Sequence, residues 1–103
     1  MPRILIVDDE ANILKSLRRL LAMTPCTAGG KIFPLTVDTF EDPAEALENA
    51  FGTPYHMVLS DYRMPGMDGV AFLKEFRELQ PNAARLILSG YADLNGLIAA
   101  INE

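Results

Sequence analysis

Three carboxylates and one hydroxyl in this sequence stand at the ends of short apolar runs that are typical of buried strands. Asp8 and Asp9 follow the first such run, Asp61 follows the third and Ser89 ends the fourth. In an open parallel sheet, ligands bind beyond the carboxyl ends of the strands, near the point where the strand order reverses. If these three strands are neighbours, the four side chains share one small crevice.

Carboxylates that share a crevice repel one another, by roughly 3 kcal/mol for an ionised pair about 5 Å apart at an effective dielectric constant near 20. A hard cation among them removes that repulsion, and Mg²⁺ prefers oxygen ligands. The residues therefore predict a Mg²⁺ site. A cation, an accessible carboxylate and a hydroxyl together suit phosphoryl transfer, in which the carboxylate attacks phosphorus and the hydroxyl bonds a phosphate oxygen.

Length and composition fit one folded domain. The chain has 103 residues, of which 50% are apolar and 22% are charged; this is enough for one core and too little for two. The net charge of -5 argues against direct binding to nucleic acid or to an anionic membrane. A single cysteine, Cys26, favours a reducing, cytoplasmic location, and no apolar run approaches the ~20 residues of a membrane span.

Strand and helix patterns alternate along the whole chain. Strands are predicted at 4–7, 35–40, 55–60 and 85–90, each followed by an amphipathic helix, and residues 24–34 are predicted to form a loop. The expected helix caps are Asp9, Asp42, Asp68 and Asp93. Strict alternation with short connections predicts an α/β fold, a parallel sheet with helices on both faces.

Three motifs resemble the receiver domains of two-component response regulators. These are "ILIVDDE", "LSDYRMPGMDG" and "LILSG", which occur in the family's order on the expected strands. The resemblance covers essentially the whole chain. It implies a flavodoxin-like, doubly wound parallel sheet with strand order 2-1-3-4-5 in one receiver domain over residues 1–103.

The resemblance also implies a role for each site residue. Asp61 is the phosphoacceptor, which a sensor histidine kinase modifies in the presence of Mg²⁺. Asp9 and Asp61 bind the metal directly, Asp8 supports it through water, and the backbone carbonyl of Arg63 supplies another ligand. Ser89 is the switch hydroxyl that turns toward the phosphoryl group.

The sequence departs from the family pattern in three places. The segment around "TPCTAGGKIF" is longer than usual, and Gly90 stands where the family usually has Ala. The chain also ends where the fifth strand, with its lysine, would begin. We therefore expect a C-terminally incomplete receiver that lacks its fifth βα unit and an output domain. The exposed fourth strand and fourth helix are then expected to favour a homodimer.

Two other functions compete with a phosphoacceptor switch, which is not itself an enzyme. The first is a receiver-like interaction module that signals without phosphorylation, which the absent lysine favours and the complete set of acids opposes. The second is a Mg²⁺-dependent phosphotransferase that uses an aspartyl phosphate. Such enzymes generally need a second acid on the nucleophile's loop, and position 63 is Arg.

Overall fold

The fold is an open α/β sheet with one additional hairpin. A computed structural model describes residues 2–23, 26–33, 35–64 and 66–88. In chain order its elements are β1 (Arg3–Val7), α1 (Ala11–Ala22), β2 (Cys26–Ala28), β3 (Lys31–Phe33), β4 (Thr36–Phe40), α2 (Pro43–Ala50), β5 (Met57–Asp61), α3 (Gly69–Leu79) and β6 (Ala84–Leu88).

Four of the described strands form one parallel sheet in the order β4-β1-β5-β6. These strands are the four that the sequence predicts, so the order 2-1-3-4 and the flavodoxin-like arrangement are confirmed. β1 is central: Val7 is paired with Phe40 on one side and with Ser60 on the other. The strand order reverses beside β1, which brings the carboxyl ends of β1 and β5 together.

The two faces of the sheet bury separate apolar clusters. Alternate residues of β1 point to opposite faces, as a pleated strand requires. Ile4 and Ile6 pack with the apolar stripe of α1, while Leu5 and Val7 pack with α2 and α3. All four are almost completely buried, which explains why the strand is aliphatic throughout. The sheet edge that carries the acids is thus fixed between two packed layers.

The segment predicted as a loop contains a hairpin instead. Cys26–Ala28 and Lys31–Phe33 pair antiparallel as a separate two-stranded sheet. Gly29 and Gly30 join them with φ values of 58° and 79°. Two-residue hairpin turns of this kind need positive φ at both positions, which glycine adopts without steric cost. The prediction was wrong because strands of three residues are too short to show a periodic pattern.

Helix starts agree with the sequence at two of three described positions. Asp42 accepts a hydrogen bond from the backbone N–H of Ala44 (2.9 Å), and Asp68 accepts one from Ala71 (2.7 Å), so both caps are confirmed. The prediction that Asp9 caps α1 is wrong. Glu10 occupies the cap position without a side-chain cap bond. Asp8 instead accepts a hydrogen bond from the N–H of Glu10 at 2.9 Å.

The predicted helix after Asp93 lies outside the described residues, and so do Ser89 and Gly90. β6 ends at Leu88, immediately before them. Across the described ranges, the helices are too short or too polar to cross a membrane.

Helix α3 begins in direct contact with the end of β5. A Cβ atom on Gly69 would lie 2.2 Å from the backbone oxygen of Asp61 and 3.2 Å from the Oγ atom of Ser60. The N–H of Gly69 donates to the carbonyl oxygen of Tyr62 at 2.9 Å. Only a residue without a side chain permits this approach, so Gly69 sets how closely the helix sits on the strand end.

We predict that Gly69→Ala lowers the free energy of unfolding by roughly 1–3 kcal/mol or more, because backbone atoms must move to admit the methyl group. Urea unfolding followed by circular dichroism measures the change. Gly52→Ala is the matched control, since a Cβ at that position would have no atom within 4 Å and the φ of Gly52 is not in the left-handed region. Equal stabilities of Gly69→Ala and wild type would contradict the close contact.

Candidate functional site

The structure brings three of the predicted site residues together. Asp8 and Asp9 follow β1, and Asp61 is the last residue of β5. One carboxylate oxygen from each lies within 4.8 Å of the others. We call these three residues the acidic cluster. It forms because Val7 is paired with Ser60, so the residues that follow them along the chain lie at the same sheet edge.

The three acids differ in their exposure to solvent. Asp8 is buried, Asp61 is half-buried and Asp9 is exposed. Burial and, to a smaller extent, the negative charges of Asp61, Asp9 and Glu10 raise the pKa of Asp8 to about 6, against the lowering effect of the Glu10 N–H bond. A carboxyl in this position resists ionisation because it loses hydration and faces like charges.

The carboxylate of Asp61 is hydrogen-bonded to the backbone of the next residue. Its Oδ1 atom accepts the N–H of Tyr62 at 2.9 Å. Its carbonyl oxygen accepts the hydroxyl of the fully buried Ser60 at 3.0 Å. Asp61 therefore presents a side chain of fixed orientation that remains partly open to solvent.

The remaining predicted site residues are less constrained by the structure. Arg63 is exposed in the loop after β5, and the role of its carbonyl oxygen as a metal ligand stays a prediction. Ser89 lies outside the described residues. β6 does run beside β5 with Asp61 paired to Leu88, the residue before Ser89.

The acidic cluster fits a divalent cation that prefers oxygen. It offers carboxylate oxygens alone, and their spread of up to 4.8 Å is comparable with the roughly 4 Å between opposite ligands around Mg²⁺. Burial is the main cause of the raised pKa of Asp8, and the negative charges of Asp61 and Asp9 add to it. A cation would supply the missing counter-charge.

Three contributors to the site were not singled out from the sequence. They are the hydroxyl of Ser60, the backbone N–H of Tyr62 and the absent side chain of Gly69. Ser60 carried a signal, because a polar residue directly before Asp61 interrupts an apolar strand. The other two act through the backbone, which residue types do not reveal.

The raised pKa of Asp8 predicts how stability depends on pH when no divalent cation is present. Because the folded state binds this proton more tightly than the unfolded state, the contribution of Asp8 to stability is full below about pH 4 and is lost as the pH rises through about 6. The difference between the folded and unfolded pKa values corresponds to roughly 2–3 kcal/mol. We expect Asp8→Asn to remove this loss, and hence to be more stable than wild type at pH 7 and similar to it at pH 4.

Urea unfolding in EDTA at several pH values measures this effect. Glu75→Gln, an exposed acid of α3, is the control and should leave the pH dependence unchanged. If the free energy of unfolding changes with pH in the same way in wild type and in Asp8→Asn, Asp8 does not titrate in this range.

Comparison with known proteins gives the same family as the motifs. Residues 4–103 match the family described as the response regulator receiver domain. The hydrogenase transcriptional regulatory protein HoxA of Cupriavidus necator is 41% identical over 100 residues, which are 97% of this chain and 19% of that protein. The transcriptional regulator NtrC of Escherichia coli is 38% identical over 98 residues, 95% of this chain and 19% of that protein. The chain thus spans about a fifth of the length of these curated relatives.

Solved structures agree with the fold. An adenylate cyclase from Rhodopirellula baltica has 33% identity and a TM-score of 0.72, over 96% of this chain and 67% of that one. The signal receiver domain of an HD domain-containing protein from Pseudomonas fluorescens has 31% identity and a TM-score of 0.72, over 99% of this chain and 68% of that one. The chain belongs to the receiver domains of response regulators, the phosphoacceptor signalling domains of two-component systems.

Proposed function

We propose that Asp61 is the residue that receives the phosphoryl group. The observation that carries this proposal is the acidic cluster, in which Asp61 ends a strand beside Asp8 and Asp9. Asp61 is half-buried and oriented by a hydrogen bond, whereas Asp8 is buried and Asp9 is exposed. A nucleophile needs both access and a fixed orientation, and Asp61 combines them.

The donor in this proposal is a phosphohistidine of a sensor histidine kinase. A carboxylate oxygen of Asp61 forms a bond to phosphorus as the bond from phosphorus to the histidine nitrogen breaks. The electron pair of that bond stays on the nitrogen, which takes up a proton. The hydrogen bond from Tyr62 limits rotation of the Asp61 carboxylate, so less ordering is needed to reach the reactive geometry.

The acidic cluster would hold Mg²⁺, which neutralises charge on the phosphoryl oxygens when it is bound. Asp9 and Asp61 are the proposed direct ligands, together with the carbonyl oxygen of Arg63. Asp8 is the proposed water-mediated ligand. The burial of Asp8 supports this assignment, because a buried carboxylate fixed to the Glu10 N–H is suited to orient a bound water.

Ser89 is the proposed switch hydroxyl. Its support is the register of β5 and β6, in which Asp61 is paired with Leu88 and the next residue in the chain is Ser89. A hydroxyl at this place would bond a phosphoryl oxygen on Asp61. Phosphorylation would then alter the surface after β6.

We also propose that the chain, as one receiver domain over residues 1–103, acts with further partners. A sensor histidine kinase supplies the phosphoryl group, and an output domain reads the phosphorylated state. The curated relatives, of which the chain spans about a fifth, support a role within a longer regulator. A cytoplasmic location fits such partners.

A dimer through β6 stays a prediction. β6 is the last strand of the four-stranded sheet in the described ranges, and its Leu86 is 39% exposed.

Among the alternatives, the structure adds no observation that favours a module without phosphorylation, since the three acids are assembled. The phosphotransferase alternative would need a second acid on the loop after Asp61, and Arg63 stands at that position.

We expect phosphoramidate with Mg²⁺ to add one phosphoryl group to Asp61 and to no other residue. Intact-mass measurement should show one adduct of the chain, which is absent in Asp61→Asn. Asp68→Asn is the matched control, since it changes an acid of the same loop that caps α3, and asparagine caps equally well. It should keep the adduct.

The role of the cation is tested in the same experiment. Omission of Mg²⁺ or the substitution Asp9→Asn should lower the amount of adduct, because the negative charge around phosphorus is then uncompensated. An adduct that persists in Asp61→Asn would show that another residue is the acceptor.

A further inference from the structure

The buried hydroxyl of Ser60 is the starting point of a chain of contacts that ends on the Asp61 carboxylate. Ser60 and Asp8 are the polar residues that are buried among those the structure describes. Ser60 stands in the middle of the sheet, paired with Val7 on one side and with Ile87 on the other. A hydroxyl in such a place is retained only if it is hydrogen-bonded, and its acceptor is the carbonyl oxygen of Asp61 at 3.0 Å.

One peptide unit links this hydroxyl to the reactive side chain. The carbonyl of Asp61 and the N–H of Tyr62 belong to the same planar peptide group, which moves as one body. The carbonyl accepts from Ser60 and the N–H donates to Oδ1 of Asp61. Rotation of this peptide would therefore break both hydrogen bonds together.

Helix α3 also approaches this peptide, at the carbonyl oxygen that accepts the Ser60 hydroxyl. A Cβ on Gly69 would lie 2.2 Å from the Asp61 carbonyl oxygen and 3.2 Å from the Ser60 Oγ atom. The N–H of Gly69 also donates to the carbonyl of Tyr62. The peptide between Asp61 and Tyr62 is thus held by the Ser60 hydroxyl and by the close approach of the first residue of α3.

We infer that Ser60 is a positioning residue that sets the orientation of the Asp61 carboxylate through the peptide shared by Asp61 and Tyr62. Its hydroxyl does not contact the phosphoryl donor. It fixes the peptide whose N–H bonds Oδ1, and so leaves Oδ2 directed for attack or for the cation. This inference rests on the proposed role of Asp61 and adds a residue that supports it.

Two measurements on the purified 103-residue chain test the inference. The first is the ¹H–¹⁵N spectrum without a phosphodonor, in which the Tyr62 amide reports its bond to Oδ1. We expect this amide proton to move upfield in Ser60→Ala and to stay near its wild-type position in Ser60→Thr, which keeps a hydroxyl. The second is the rate of adduct formation with phosphoramidate at saturating Mg²⁺.

The rate in Ser60→Ala should fall roughly fivefold to tenfold, the size expected for loss of one orienting hydrogen bond. Ser60→Thr should recover most of the rate. Val58→Ala is the matched control, because Val58 is equally buried in β5 but stands two residues before Ser60 and carries no hydroxyl. It should lower the urea concentration at the midpoint of unfolding. The rate of adduct formation and the chemical shift of the Tyr62 amide should stay as in wild type.

Two results would overturn the inference. One is that Ser60→Ala has the same Tyr62 amide chemical shift and the same rate of adduct formation as wild type. The other is an equal loss of rate in Ser60→Ala and Val58→Ala, which would mean that packing alone matters. If wild type forms no adduct while the Tyr62 amide still moves in Ser60→Ala, the link from Ser60 to the carboxylate stands and the proposed phosphoacceptor role fails.

Discussion

Mutual repulsion among Asp8, Asp9 and Asp61 is the constraint on which the rest of this structure depends. The fold accepts three carboxylates within 4.8 Å of one another at the edge of a parallel sheet. Burial of Asp8, together with the negative charges of Asp61 and Asp9, raises the pKa of its carboxyl to about 6. A cation among carboxylates held this close would offset their repulsion.

Away from the acidic cluster, polar side chains are paired with one another by hydrogen bonds. The carboxylate of Asp38 in β4 accepts hydrogen bonds from the guanidinium of Arg3 (2.8 Å) and from the hydroxyl of Tyr55 (2.7 Å). Burial and the bond to Asp38 raise the pKa of Tyr55, which therefore stays a neutral donor. The amide of Gln80 accepts the N–H of Tyr55 and donates to the carbonyl oxygens of Ala50 and Thr53, so α3 is tied to the segment before β5. These contacts anchor the C-terminal end of α3, while at its other end Gly69 lies against the backbone of Asp61.

Local patterns predicted most of the fold because long-range pairing did not have to overrule them. The aliphatic run of β1 is a strand since both of its faces are covered, and Asp42 and Asp68 cap helices as their positions indicate. The hairpin between α1 and β4 escaped prediction, because its strands have three residues each and the glycine pair resembles any flexible loop. The cap of α1 also differed, since Asp8 turns toward the Glu10 N–H and leaves Asp9 exposed.

The sequence by itself determined that acids end the first and third strands of an α/β fold, because apolar periodicity and the residue types at strand ends are local properties. Only the tertiary structure decided how close the acids lie, which of them is buried and how Asp61 is oriented. These depend on the register of Val7 with Ser60 and on the approach of Gly69 to the Asp61 carbonyl. Both are contacts between separate segments that are made through backbone atoms, and the second also requires a residue without a side chain at position 69. No pattern of side chains along the sequence encodes such distances.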